Sequence, residues 1–286
     1  MTRFLIATIP AAGHVNPALP IARQLVEYGN EVWWYTGKGF REKVEATGAH
    51  HVPIKTGLDF TDMSTIPPFE YPRSDLPPQV HFIGPFLPKL SADFTPPTWW
   101  KDLEGNRPIV FVTQGTVATD AGDLIMPAIQ ALADEDVLVV VTTGGQQIEK
   151  LKIEPLPANV RVELFIPYDH LLPHVDVMVT NAGFNGVQLA LANGIPLVTA
   201  GQTEEKPEIC ARVQWTGVGI DLKTSTPTPM QVRNAVMRIL SYSQYRQRAK
   251  QFQAEIASYD TPALVRKLLE QLAATKQPVL RTERGS

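Results

Sequence analysis

One cysteine, Cys210, stands in a chain of 286 residues, so no disulfide can form within it. No apolar run approaches the ~18 residues that a bilayer-spanning helix needs. An excess of basic charge is missing too. The 26 Lys+Arg against 29 Asp+Glu leave a net charge of −3, which excludes the strongly cationic surface of a general nucleic-acid binder. The opening MTRFLIATIPAAGHVNP has no basic n-region, and its apolar stretch runs into Gly13-His14 without a cleavage pattern. A soluble, cytoplasmic protein is the expectation. Neither His50, His51, His81, His170 nor His174 shows zinc-ligand spacing, and with a single cysteine no metal site is expected. There is no repeat, acidic tail or basic tract.

What is present points to a folded chain. Hydrophobic residues make up 44% and charged residues 19%, enough apolar material for a sizeable core in one or two domains. Proline is the unusual count: 25 residues, about 9% against an average near 5%. Eleven of them fall between Pro53 and Pro108. Such a density excludes helix interiors and central strands and leaves extended linker.

Hydrophobic periodicity orders the rest. Arg3 to Ile9 reads as a strand, Ala18 to Tyr28 as a helix closed by Gly29, and Glu31 to Tyr35 as a second strand. A helix over Gly39 to Thr47 and a strand from His50 to Ile54 complete a βαβαβ pattern, whose parallel strands need crossover helices. After the proline-rich stretch come strands at 108–113, 137–142, 160–165, 175–180 and 196–199. Helices are expected near 124–133, 169–172, 184–192, 206–216 and 229–240, which makes a doubly wound α/β domain. Two amphipathic segments, 243–257 and 261–274, end the chain. The domains are therefore set at 1–62, 63–107 (interdomain), 108–242 and 243–286.

In a doubly wound sheet, ligands sit beyond the carboxyl ends of the strands. Thr113-Gln114-Gly115-Thr116 follows one strand there and could hold phosphate by hydroxyls and backbone N–H groups, or serve as an ordinary helix cap. Asn181-Ala182-Gly183-Phe184-Asn185-Gly186 joins another strand to a helix with two glycines and matches neither the Walker loop nor GxGxxG. Gly201-Gln202-Thr203-Glu204-Glu205-Lys206 is either a sugar-binding loop or a solvated one. His14, after the first strand, is a candidate general base or a structural histidine.

Three stretches resemble the UDP-glycosyltransferase superfamily of GT-B glycosyltransferases, nearest its bacterial macrolide-type members. They are Ala12-Gly13-His14-Val15-Asn16-Pro17; Tyr71-Pro72-Arg73-Ser74-Asp75-Leu76-Pro77-Pro78 with Phe82-Ile83-Gly84-Pro85; and the ordered run from Phe165 to Val213. The resemblance implies two facing Rossmann-like domains, here a complete C-terminal donor domain and a truncated N-terminal βαβαβ acceptor domain. It further implies metal-independent, inverting transfer of a sugar from a nucleoside diphosphate sugar, UDP above all, to a hydroxyl of a small apolar acceptor, with no resident cofactor. By that resemblance Phe165 and the backbone of Ile166 hold the nucleobase. Thr116, Asn181, Gly183, Phe184, Asn185 and Gly186 surround the diphosphate. Glu205 and Lys206 hold sugar hydroxyls, and His14 is the base. Asn181 stands where the family often has histidine, Lys206 where it has glutamine, and Leu189 where a carboxylate or amide holds the ribose.

Family members are longer by over one hundred residues, a stretch that supplies most of the acceptor pocket and the aspartate orienting the base. Asp59 and Asp62 are the nearest carboxylates in sequence to take that place. A three-stranded remnant is too small to bury its own core, so it should pack on the donor domain, the C-terminal helices or another chain, with Trp33, Trp34, Trp99 and Trp100 as candidate contacts. A homo-oligomer, a complementing chain, a silent nucleotide-sugar binder and a slow donor hydrolase are the alternatives.

Overall fold

The computed structural model describes residues 2–8, 12–53, 66–72, 76, 78–88, 93–115, 120–145, 151, 153 and 155–281, with the side chains of 12–14 outside that set. Two units divide the chain, Met1–Leu87 with Ser258–Ser286, and Pro88–Ala257.

In the first unit, strands β1 (Arg3–Ala7), β2 (Glu31–Thr36) and β3 (His50–Pro53) form a parallel sheet in the order β1-β2-β3. The crossovers are helix α1 (Ala12–Glu27) and the short α2 (Arg41–Glu45). α1 starts at Ala12 rather than Ala18, so Pro17 joins Pro20 inside it. Burial explains the earlier start. Val15 is fully buried and shares the inward face with Ala18, Ala22 and Leu25, against Val32 and Trp34 of β2. Proline's fixed φ suits a helix, and the lost N–H is outweighed by that apolar face.

The alternation along β2 sends Val32, Trp34 and Thr36 inward and leaves Trp33 42% exposed. Leu5, paired in register with Trp33, is 73% exposed, so the sheet's second face is open. Helix α9 (Thr261–Thr275), at the far end of the chain, packs on α1 and brings Leu269 to the same core. The proline-rich segment is fastened beside it: Thr261 Oγ1 donates to the Ile83 carbonyl at 2.7 Å, and the Arg281 guanidinium to that of Val80 at 2.9 Å. Residues 243–286 and 63–107, each expected as one piece, therefore both divide between the units.

The second unit is a six-stranded parallel sheet of β4 (Ile109–Thr113), β5 (Leu138–Thr142), β6 (Val160–Glu163), β7 (Val177–Thr180), β8 (Leu197–Thr199) and β9 (Gly219–Asp221). Its order, β6-β5-β4-β7-β8-β9, is the doubly wound arrangement. β4 and β5 are buried at every position, as parallel strands covered on both faces are. Helices α3 (Ile125–Leu132), α4 (Tyr168–Leu171), α5 (Phe184–Ala192), α6 (Lys206–Trp215), α7 (Pro229–Ser241) and α8 (Ser243–Ala257) complete the unit, with α3 on α7 and α5 on α8. Thr228 and Gln231 form a capping box ahead of α7, with Pro229 in its first turn. Among the elements not anticipated are the edge strand β9 and a 3-10 turn at Trp100–Glu104, where Asp102 pairs with Arg161 and Trp99 donates to Glu163.

Candidate functional site at the carboxyl ends of the second sheet

Strand order reverses between β4 and β7, the kind of switch point beyond which doubly wound sheets hold their ligands. β4 ends in Thr113, followed by Gln114 and by Gly115 at φ +73°, a left-handed turn that glycine adopts without steric cost. From the β7 side, Asn181 Nδ2 donates to the Gln114 carbonyl at 2.6 Å. That bond ties the two loops across the switch point and takes up one of the two Nδ2 hydrogens.

The turn after β7 is sharply shaped. Ala182 is buried at φ +64°, a conformation that costs a non-glycine residue about 1–2 kcal/mol. Its N–H donates to Thr180 Oγ1 at 3.3 Å. Gly183 follows as the N-cap of α5 and brings no capping side chain. Phe184, Asn185 and Gly186 form the first turn, where backbone N–H groups lack intrahelical acceptors and the helix dipole favours an anion.

The loop after β8 lies directly against this turn. A Cβ at Gly201 would come 2.3 Å from the Asn181 carbonyl oxygen and 2.8 Å from Lys206 Cβ, so only glycine fits. Beyond it, Glu204 sits at φ +57° and forms an ion pair with Lys206. Glu205 is exposed at the N-cap of α6. After β6, Phe165 is 64% exposed, whereas the Ile166 side chain is buried in the core. Tyr168, at the start of α4, packs edge-on against Phe111 with ring centroids 5.4 Å apart. Burial pushes its phenol pKa up, opposed by a hydrogen bond with Thr113.

Of the residues named from the sequence, Asn181, Gly183, Phe184, Asn185 and Gly186 share one turn, and Lys206 reaches it through Gly201. Lys206 forms its ion pair with Glu204, two residues back, while Glu205 is exposed. Thr116, Asp59, Asp62 and the side chain of His14 lie outside the described residues; the backbone of His14 is in the first turn of α1. Leu189 and Gln188 are both buried in α5, 8% and 6% exposed. Sequence reasoning missed Ala182, Glu204 and Gly201 as shaping residues. Only Gly201, a glycine one residue past a strand end, carried a signal in its type. Among the described residues no cluster of His, Cys, Asp or Glu could hold a metal ion. No described helix is long and apolar enough to cross a membrane.

Residues 126–272, just over half of the chain, match the family model of the erythromycin biosynthesis protein CIII-like C-terminal domain. The chain is 34% identical over 409 residues to 4'-demethylrebeccamycin synthase of Lentzea aerocolonigenes, covering 90% of this chain and 96% of that protein. It is 41% identical over 205 residues to UDP-glucosyltransferase 1 of Beauveria bassiana, covering 71% of this chain but 44% of the relative, under half of that protein's length. The solved glycotransferase of kitacinnamycin superposes with a TM-score of 0.77 at 19% identity over 94% of this chain and 98% of its own. The calicheamicin glycosyltransferase does so with 0.76 at 20%, over 96% and 99%. At those identities the likeness is one of fold.

Proposed function

The chain belongs to the UDP-glycosyltransferase superfamily of GT-B fold, in the group marked by the erythromycin biosynthesis protein CIII-like C-terminal domain; from this we propose that it is an inverting, metal-independent glycosyltransferase using a nucleoside diphosphate sugar, UDP-linked. The observation that carries the reading is the uncapped N-terminus of α5 at the switch point, shaped by Ala182 and held by Asn181 and Gly201. The diphosphate would rest on the N–H groups of Phe184, Asn185 and Gly186, with Thr116 beside it and Phe165 and the Ile166 backbone against the base. Glu205 and the Glu204-Lys206 pair would face the sugar hydroxyls. In this scheme His14 takes the proton from the hydroxyl of a small apolar acceptor while that oxygen bonds to the anomeric carbon. The bond to the diphosphate breaks and the configuration inverts. Charge developing on the leaving diphosphate is met by the helix end.

Calorimetric titration with UDP, dTDP and GDP tests the donor half. UDP should bind saturably and more weakly to Asn181→Ala. His14→Ala should then keep nucleotide affinity and lose transfer. No binding of any nucleotide sinks the proposal.

A second reading, that the chain is one half of a two-chain transferase, is favoured by two observations. The 409-residue alignment draws on 90% of 286 residues, so more than a hundred of its positions have no counterpart here. The open face of the β1-β2-β3 sheet, with Leu5 and Trp33 exposed, is where a parallel sheet needs cover. If transfer appears only when the unmatched interior segment of the Lentzea relative is co-expressed as a separate chain, the two-chain form is selected; full transfer by this chain alone dismisses it.

A further inference from the structure

A cavity of about 820 Å³ opens in the second unit around the beginning of β9, between the C-terminal end of α6 and the facing sides of α7 and α8. Gln214, Thr216 and Gly217 precede β9, whereas the loops described above follow their strands; in a parallel sheet these are opposite ends. Its volume lies within the range of small-molecule sites.

The lining is chemically one-sided. No aspartate or glutamate is among the described residues that face it, yet two arginines are. Arg248 is held in place: its Nε donates to the Thr216 carbonyl at 2.9 Å, its Nη1 to Gln251 Oε1 at 2.7 Å, and its guanidinium lies over the Phe252 ring, 4.9 Å from the centroid. Arg238 lies 6.0 Å from the Tyr242 ring centroid and has no carboxylate partner among the described residues. Around the arginines, the carboxamides of Gln214, Asn234, Gln244 and Gln247 form no hydrogen bond among the described residues, and each offers both a donor and an acceptor. Ile220, Leu222 and Tyr245 add apolar surface.

A guanidinium fork matches the oxygens of a phosphate, and amides that both donate and accept match vicinal hydroxyls. A neutral polyol would leave the cations unanswered, and a bare anion would leave the amides unused. We propose that this cavity is a second ligand site, for a phosphorylated sugar, separate from the strand-end loops and independent of what those loops bind. The phosphate sits between Arg238 and Arg248 and the hydroxyls face the amides.

The test is calorimetric titration of the full chain with glucose 1-phosphate in saturating UDP, alongside inorganic phosphate and glucose as separate arms. The expected result is saturable binding of glucose 1-phosphate, stronger than either arm and unaffected by UDP. Losing one charge-assisted contact in Arg238→Ala should weaken it about tenfold. Arg238 is exposed, so an unchanged melting temperature in that variant separates a binding loss from a folding loss. Absence of saturable binding overturns the proposal, as does affinity unchanged in Arg238→Ala. Competition by UDP would assign the binding to the strand-end loops instead. Equal affinity for inorganic phosphate would remove the sugar from the site.

Discussion

Replacing Gly201 by alanine isolates the contact on which the donor reading depends. The added Cβ would lie 2.3 Å from the Asn181 carbonyl oxygen, about an ångström inside ordinary contact, and a backbone oxygen cannot rotate away as a side chain can. Overpacking of this kind costs about 1–3 kcal/mol, more than the 0.4–1 kcal/mol that alanine gains by restricting the unfolded chain. At about 2–4 °C per kcal/mol for a unit of this size, the melting temperature should fall by several degrees. Gly219→Ala is the matched control, because its Cβ would meet the Leu197 carbonyl oxygen at 2.1 Å, a similar clash at the far end of the sheet. Gly39→Ala, with nothing within 4 Å and no left-handed φ, should be neutral or slightly stabilising. Thermal unfolding by circular dichroism and UDP calorimetry together separate the cases. Both Gly201→Ala and Gly219→Ala melt lower, but only Gly201→Ala loses nucleotide affinity, since only its clash bears on the head of the α5 turn. If the two variants melt alike and both bind UDP as wild type does, the turn is not the nucleotide site and the reasoning fails.

Three further outcomes are expected. Trp34→Ala should cost about 3–5 kcal/mol, because Trp34 is fully buried and donates to Thr8 Oγ1, while Trp33→Ala on the open face should cost far less; equal losses in urea unfolding would contradict the register of β2. Tyr168 has a folded pKa above its ordinary 10.0, so the native state holds the phenol proton more tightly than the unfolded chain. Its contribution is then complete below about pH 10 and lost as pH rises through the folded value. The alkaline fall in melting temperature should shrink in Tyr168→Phe, and an unchanged fall would refute the assignment. Cys210 is buried, donates to the Gly201 carbonyl, and has its thiol pKa pushed up by burial, so maleimide labelling at neutral pH should proceed only as fast as the unit opens. Rapid labelling of the native protein would show that the α6 packing is looser than described.

Much of the fold was legible because its signals are local. β4 and β5 are apolar runs rich in β-branched residues, α5 falls on 184–192 as its periodicity indicates, and α7 announces itself by a threonine cap, a proline and a glutamine three residues on. The misses arose where tertiary packing overrode such signals. Gly13 and Pro17 precede the helix start expected at Ala18, yet α1 runs through them because Val15 belongs to the core. β9 is three residues long and carries a glycine, too little for alternation to show; it exists because that glycine lets its backbone close on Leu197. The destination of α9 was read only as one of three options for covering the N-terminal remnant, since an amphipathic helix reveals that it has an apolar face but not which partner covers it; its packing on α1 decides among them.

The site shows the same boundary more sharply. Residue types placed the Asn181–Gly186 turn correctly because glycines and a strand-to-helix junction have a chemical meaning wherever they occur. The resemblance set Glu205 and Lys206 toward the sugar but carried no information on which neighbouring carboxylate meets the lysine. With Glu204 at φ +57°, the chain reverses just before α6, and the carboxylate two positions back from Lys206 swings round to meet it while Glu205 faces solvent. Nothing in a glutamate's chemistry forecasts that conformation, and the same holds for Ala182. Both are non-glycine residues held left-handed in loops at the same ends of neighbouring strands, and such strain persists only where the surroundings over-determine it. Here the surroundings are Gly201 pressed against Asn181 and Asn181 bonded to Gln114. Relieving the strain by Ala182→Gly therefore tests whether it shapes the site. The variant should melt within about 1 kcal/mol of wild type, since removed strain and added chain freedom nearly cancel, but bind UDP more weakly because the turn is no longer held in one conformation. Unchanged affinity would mean that the α5 N-terminus is held by packing alone.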